Sequence, residues 1–147
     1  LKFGIIVSDY HSDITSPLYE GCYETLVKHG AKEEDIHTIQ VPGAFELPVG
    51  ARMLAESKGL NAYICLGCVI KGDTQHDEYI NTAVANGITQ LSLLSDKPII
   101  FGLLTVNDME QAEERSGGAH GNKGVEAAIT AIKMVHHQKN HLCQSKV

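Results

Sequence analysis

No apolar run in the 147 residues approaches the ~20 needed for a membrane-spanning helix; stretches such as Ile99-Ile100-Phe101 and Leu103-Leu104 are typical. The chain is therefore not read as a membrane protein. Basic residues are few. Twelve Lys and Arg stand against 18 Asp and Glu, for a net charge of −6 and a pI near 5.7. That balance argues against nucleic acid as a partner, because phosphate backbones recruit basic surfaces, so any anion site must be local. Cysteine is sparse: Cys22, Cys65, Cys68 and Cys143 make no disulfide framework. Cys65-Leu-Gly-Cys68 has CxxC spacing, but a redox pair wants its first Cys at a helix N-terminus, and no second CxxC completes a zinc site. These Cys are read as buried structural thiols. Linkers and low-complexity stretches are absent, as is a charged-then-apolar signal region, and the expectation is a cytoplasmic protein.

The composition is that of a soluble globular chain: 43% hydrophobic, 20% charged, mean hydropathy −0.09. A chain this long buries roughly 68–70% of its unfolded surface and needs neither disulfide nor metal to build a core. Short apolar runs alternate with helical patterns. Phe3 to Val7, Ile36 to Val41, Ala62 to Leu66 and Ile99 to Thr105 read as strands, and the first, third and fourth are continuous enough to be covered on both faces. Ser16-Pro17 reads as an N-cap with proline at the first helical position; Leu18, Tyr19, Cys22, Leu26 and Val27 follow as one stripe, stopped at Gly30. Further helices are expected over Pro48 to Lys58, Asp77 to Ser95 and Asp108 to Arg115, with a last one marked by Val125, Ala128, Ile129, Ile132 and Val135. The order β-α-β-α-β-α-β-α-α predicts one α/β domain over residues 1–147. It is a three-layer αβα arrangement with a four-stranded parallel sheet, ending in a polar tail at 137–147.

Ligands in such folds sit beyond the carboxyl ends of the strands. The segments there hold most of the unusual chemistry: Ser8 to His11, Pro42 to Glu46, Gly67 to Asp77, and Thr105 onward through Arg115 to Gly124. Gly67-x4-Gly72 with Asp73-Thr74 places small and polar residues at a helix start, where free N–H groups and the dipole favour an anion. It is no Walker A loop, since Asp73 stands where the lysine belongs. His76, two residues on, is a candidate proton shuttle; its bland alternative is a helix-start histidine satisfied by Asp73 or Asp77. Arg115 before Ser116-Gly117-Gly118 offers a two-pronged phosphate clamp, or a surface arginine favourable to a helix C-terminus. Lys123 lies between glycines that permit close backbone approach. Tyr10 and Phe45, two of eight aromatics, either stack on a planar ring or cap the core. His137-x3-His141 has helical chelate spacing but no supporting carboxylate or Cys pattern, and no metal is expected.

Four motifs together resemble one family. Val41-Pro-Gly-Ala-Phe-Glu-Leu-Pro48, Leu66-Gly-Cys-Val-Ile-Lys-Gly-Asp-Thr-Gln-His76, Pro98-Ile-Ile-Phe-Gly-Leu-Leu-Thr105 and Glu114-Arg-Ser-Gly-Gly-Ala-His-Gly-Asn-Lys-Gly-Val-Glu-Ala-Ala128 are similar, in order and spacing, to segments of the lumazine synthase family. The resemblance runs from about Phe3 to Met134. It implies a flavodoxin-like fold and a transferase of riboflavin biosynthesis. The reaction would join 5-amino-6-(D-ribitylamino)uracil and 3,4-dihydroxy-2-butanone 4-phosphate into 6,7-dimethyl-8-ribityllumazine, with two small-molecule substrates and no cofactor.

It further implies that Tyr10 stacks on the pyrimidinedione, that Ala44, Phe45, Cys68, Val69 and Ile70 meet its edges, and that Glu46 holds the ribityl hydroxyls. Asp73, Thr74 and Arg115 would hold the phosphate, and His76 would move protons. Phe101, Arg115 and Lys123 would come from a neighbouring copy of the chain, in pentamers that some members assemble into sixty-subunit shells. His11 stands where the family commonly has Asn, and Lys71 where it commonly has Arg. Two other readings compete: an aldolase-like catalyst with Lys123 as Schiff base, which borohydride trapping would reveal, and a non-catalytic flavodoxin-like module binding a flavin or phospho-ligand, which turnover would exclude.

Overall fold

The computed structural model of the chain describes the backbone of residues 1–145 and the side chains of residues 1–141. The elements run β1 (Phe3–Ser8), α1 (Ser12–Lys28), β2 (Ile36–Val41), α2 (Leu47–Ser57), β3 (Ala62–Ile70), α3 (His76–Leu94), β4 (Ile99–Val106), α4 (Met109–Glu114), β5 (Ser116–Gly118), β6 (Gly121–Asn122) and α5 (Lys123–Ser145). Two 3₁₀ turns, at Glu33–Asp35 and Ala44–Glu46, precede β2 and α2. β1 to β4 form the expected parallel sheet in the order β2-β1-β3-β4, and β5 and β6 form a separate antiparallel hairpin.

Alternation along the buried strands builds one apolar layer on each side of the sheet. Ile5, Val7, Ile64, Leu66 and Ile100 meet Cys22 and Leu26 of α1 and Ala127, Ala128, Ala131 and Val135 of α5. Ile6, Tyr63, Cys65, Val69 and Leu103 meet Leu47, Ala51 and Leu54 of α2 and Val84 and Ile88 of α3. The result is the three-layer αβα architecture of a flavodoxin-like fold. No helix among the described residues is long and apolar enough to cross a membrane.

α1 departs from the sequence expectation. It begins at Ser12, a turn before Ser16, and Pro17 lies inside it. The missing Pro17 N–H forfeits only the bond to the carbonyl of Asp13, an exposed residue, so the helix tolerates the proline there. β3 also runs four residues past Leu66. Cys65 and Cys68, three apart on one strand, therefore face opposite layers: Cys65 joins the α2–α3 side, while Cys68 packs with Ile14, Leu18 and Leu104. Burial pushes the Cys22 and Cys65 thiols up to about 12. It pushes Cys68 up to about 11, with the Asp13 carboxylate adding to the effect. These are the structural thiols expected, with no thiolate at neutral pH to serve as nucleophile. Cys143 lies outside the described side chains. Residues 137–145 of the expected tail continue α5, and 146 and 147 lie outside the described residues.

Candidate active site

The sheet reverses its winding between β1 and β3, so the ends of those strands diverge and leave a crevice. Three loops wall it. The first leaves β1 and is pinned to the second by two bonds, from Asp9 N–H to the Val41 carbonyl (2.8 Å) and from Tyr10 N–H to the Pro42 carbonyl (3.0 Å). His11 then adopts φ 62° and ψ 50°, and its carbonyl accepts from Ile14 and Thr15 N–H to start α1. In the second loop Gly43 N–H donates to Glu46 Oε1 (3.0 Å) and Glu46 N–H to the Gly43 carbonyl (3.1 Å), which curls residues 43–46 and pushes Phe45 outward. The third loop leaves β3 with Lys71 N–H bonded to the Val106 carbonyl (2.8 Å). It crosses Gly72 to Gln75 in the open, and His76 N–H donates to Thr74 Oγ1 (3.3 Å) as α3 begins.

Together these loops enclose a cleft of about 550 Å³, within the size range of small-ligand sites. Tyr10, His11, Gly43, Ala44, Phe45, Glu46, Cys68, Val69, Ile70, Gly72, Thr74, His76, Asp77 and Ile80 line it. Tyr10 is 69% exposed and Phe45 61%, which is unusual for aromatic side chains and leaves ring faces open to a planar ligand. The N-terminus of α3 supplies positive potential at the Thr74–His76 corner. Ser8 Oγ, Asp77 Oδ1 and Asn81 Oδ1 are buried with no hydrogen-bond partner among the described residues.

Three candidate residues stand apart. Arg115 and Lys123 line a second cleft, of about 300 Å³, with Thr105, His120 and Glu126. Phe101 projects, 38% exposed, from β4, the strand at the sheet's edge. Arg115 Nη1 donates to the Gln111 carbonyl (3.2 Å) and lies 3.4 Å from Glu114 Oε2, an oxygen that His120 Nε2 approaches to 3.6 Å. The β5–β6 hairpin holds this group in place through bonds from Lys123 N–H to the Arg115 carbonyl (2.9 Å) and from His120 N–H to the Glu114 carbonyl (2.8 Å).

The Gly121-Asn122-Lys123-Gly124 segment has a structural task that the sequence did not disclose. Asn122 caps α5: its Oδ1 accepts from Gly124 N–H (2.8 Å) and Val125 N–H (3.2 Å), and its Nδ2 donates to the Pro17 carbonyl of α1 (3.0 Å). A Cβ on Gly124 would stand 1.9 Å from the Leu18 carbonyl oxygen, so only glycine lets α5 start this close to α1.

The fold thus gathers Tyr10, Ala44, Phe45, Glu46, Cys68, Val69, Ile70, Thr74 and His76 in one cleft. Asp73 stands on the rim loop, outside the wall. Asp77 and Ile80 are wall residues that sequence reasoning did not single out. For Ile80 the signal was helical spacing, since the position four past His76 shares its side of α3. No group of three or more His, Cys, Asp or Glu among the described residues is placed to hold a metal ion.

Comparison with known proteins identifies the family. The family model for 6,7-dimethyl-8-ribityllumazine synthase matches residues 1–139. A 6,7-dimethyl-8-ribityllumazine synthase of Cytophaga hutchinsonii is 55% identical over 133 residues, covering 90% of this chain and 84% of the relative. Those of Bacteroides fragilis and Parabacteroides distasonis are 53% and 54% identical over 135 residues, covering 92% of this chain and 94% and 84% of theirs.

Proposed function

The chain belongs to the 6,7-dimethyl-8-ribityllumazine synthase family, and we propose from that premise how its two clefts serve the family's reaction. It is a transferase of riboflavin biosynthesis, condensing 5-amino-6-(D-ribitylamino)uracil with 3,4-dihydroxy-2-butanone 4-phosphate to 6,7-dimethyl-8-ribityllumazine. One substrate carries the amine nucleophile. The other carries the carbonyl and the phosphate leaving group, so the protein's work is to hold both in register and move protons. Juxtaposition can lower such a barrier by as much as ~7–11 kcal/mol, and a placed acid–base contributes about 10²–10⁴-fold.

In this reading Tyr10 stacks on the pyrimidine ring, the backbone of Ala44, Phe45 and Cys68 to Ile70 reads its edges, and Glu46 takes the ribityl hydroxyls. Glu46 Oε1 is already held by Gly43 N–H, which orients the carboxylate before substrate arrives. Thr74, with Asp73 beside it, and the start of α3 receive the phosphate. His76, at the first residue of α3 and open to the cleft, shuttles protons between the amine, the carbonyl oxygen and the leaving phosphate.

Arg115, Lys123 and Phe101 complete the site from a second copy of the chain. The observation that carries this reading is the split itself: the cleft around His76 is aromatic and polar but has no arginine in its wall, while Arg115 and Lys123 converge in a cleft of their own. Self-association of the chain, with each site at a boundary between copies, follows. The direct test is an assay of purified protein with both substrates, following lumazine fluorescence. Lumazine formed only when both are present supports the reading. Binding of a flavin or phospho-ligand without turnover would replace it with the non-catalytic module.

A further inference from the structure

We propose that His11 is a positioning residue, holding the Tyr10 ring as one wall of the cleft and so setting affinity for the planar substrate. This rests on reading the cleft as the site of the ribityl pyrimidine. Successive side chains of an extended strand point to opposite sides, and Tyr10 and His11 would diverge if β1 simply ran on. His11 prevents this by adopting φ 62° and ψ 50°, the only left-handed non-glycine conformation among the described residues. The turn brings the two rings together, with centroids 4.3 Å apart and planes tilted by 55°. Both then line the same cleft.

Two further observations separate this role from a merely structural one. The His11 side chain makes no capping bond to α1, so the helix start depends on the residue's backbone and not on its ring. The Tyr10 backbone is fixed by the bond to the Pro42 carbonyl, but its side chain is 69% exposed. Without a neighbour the phenol would sweep several rotamers and lose that freedom on binding. The His11 ring is the aromatic contact present to restrain it.

The test is a double-mutant cycle with His11→Asn, Tyr10→Ala and both together. Asparagine tolerates the left-handed conformation, and His11→Gly serves as a second variant free of backbone strain. Each protein is assayed for kcat and for the KM of both substrates, and pyrimidine binding alone is measured by calorimetry. The proposal expects the KM and Kd of the pyrimidine to rise about five- to twentyfold in His11→Asn, with kcat and the butanone phosphate KM within about twofold. It expects the double variant to be no worse than Tyr10→Ala, because His11 acts through that ring. Additive losses, or a pyrimidine Kd unchanged in both His11 variants, would overturn it. Absence of turnover by the unmodified protein would overturn the functional reading instead, while calorimetry would still score His11.

Discussion

Two glycine-bearing segments lead into long helices in this molecule, and they are built in opposite ways. Residues 115–124 fold into a hairpin closed by bonds from His120 N–H to the Glu114 carbonyl and from Lys123 N–H to the Arg115 carbonyl, and the Asn122 side chain joins the start of α5 to Pro17 of α1. Residues 71–76 are held at Lys71 and again, weakly, where Thr74 meets His76, with exposed chain between. A Cβ on Gly124 would collide with the backbone of α1, while a Cβ on Gly72 would meet nothing within 4 Å. Glycine in the first segment answers an internal packing demand. In the second it leaves the backbone open to a ligand. One segment is scaffold that presents Arg115 and Lys123, and the other is the loop to which the proposed function assigns the phosphate.

Substitutions should divide along that line. Gly124→Ala should be the most damaging, destabilising the fold by about 3 kcal/mol or more, since the methyl can be accommodated only by moving α5 off α1. Urea unfolding would read this, and a loss below about 1 kcal/mol would mean that the two helices are not locked as described. His76→Ala, in the open segment, should leave the unfolding midpoint unchanged while lowering turnover by about 10- to 10³-fold with an altered pH–rate profile. Unchanged rates at every pH would make His76 a helix-start residue and nothing more. Asn122→Ala should cost about 2 kcal/mol, at the upper end for a lost cap, because the same side chain also bridges to the Pro17 carbonyl. Gly72→Ala should change stability by no more than about 0.5 kcal/mol, and a large loss there would erase the contrast between the segments.

Most of the architecture was legible in the sequence because buried parallel strands are written as continuous apolar runs. The runs Phe3 to Val7 and Ile99 to Thr105 each end within a residue of the strands Phe3–Ser8 and Ile99–Val106. What stayed hidden lacked periodicity. The β5–β6 hairpin consists of Ser116–Gly118 and Gly121–Asn122, too short and too small to alternate. The start of α1 stays hidden because Ser16-Pro17 has the local chemistry of a helix start, whereas the turn is made by His11, a residue without a strong turn signature. At the site, the composition of the strand-end loops identified the cleft-forming segments. It could not show that Arg115 and Lys123 line a different cleft from His76, since topology and not sequence spacing decides which loops converge.

Mixing two damaged proteins tests whether that separation is bridged by a second copy of the chain. His76→Ala and Arg115→Ala should each be strongly impaired alone. Unfolded and refolded together, and shown by mass spectrometry to form mixed assemblies, they should place both native residues at about a quarter of the boundaries between copies. Activity well above either parent is the predicted result. Activity equal to the average of the two parents would place both residues in the pocket of a single chain and contradict the shared site.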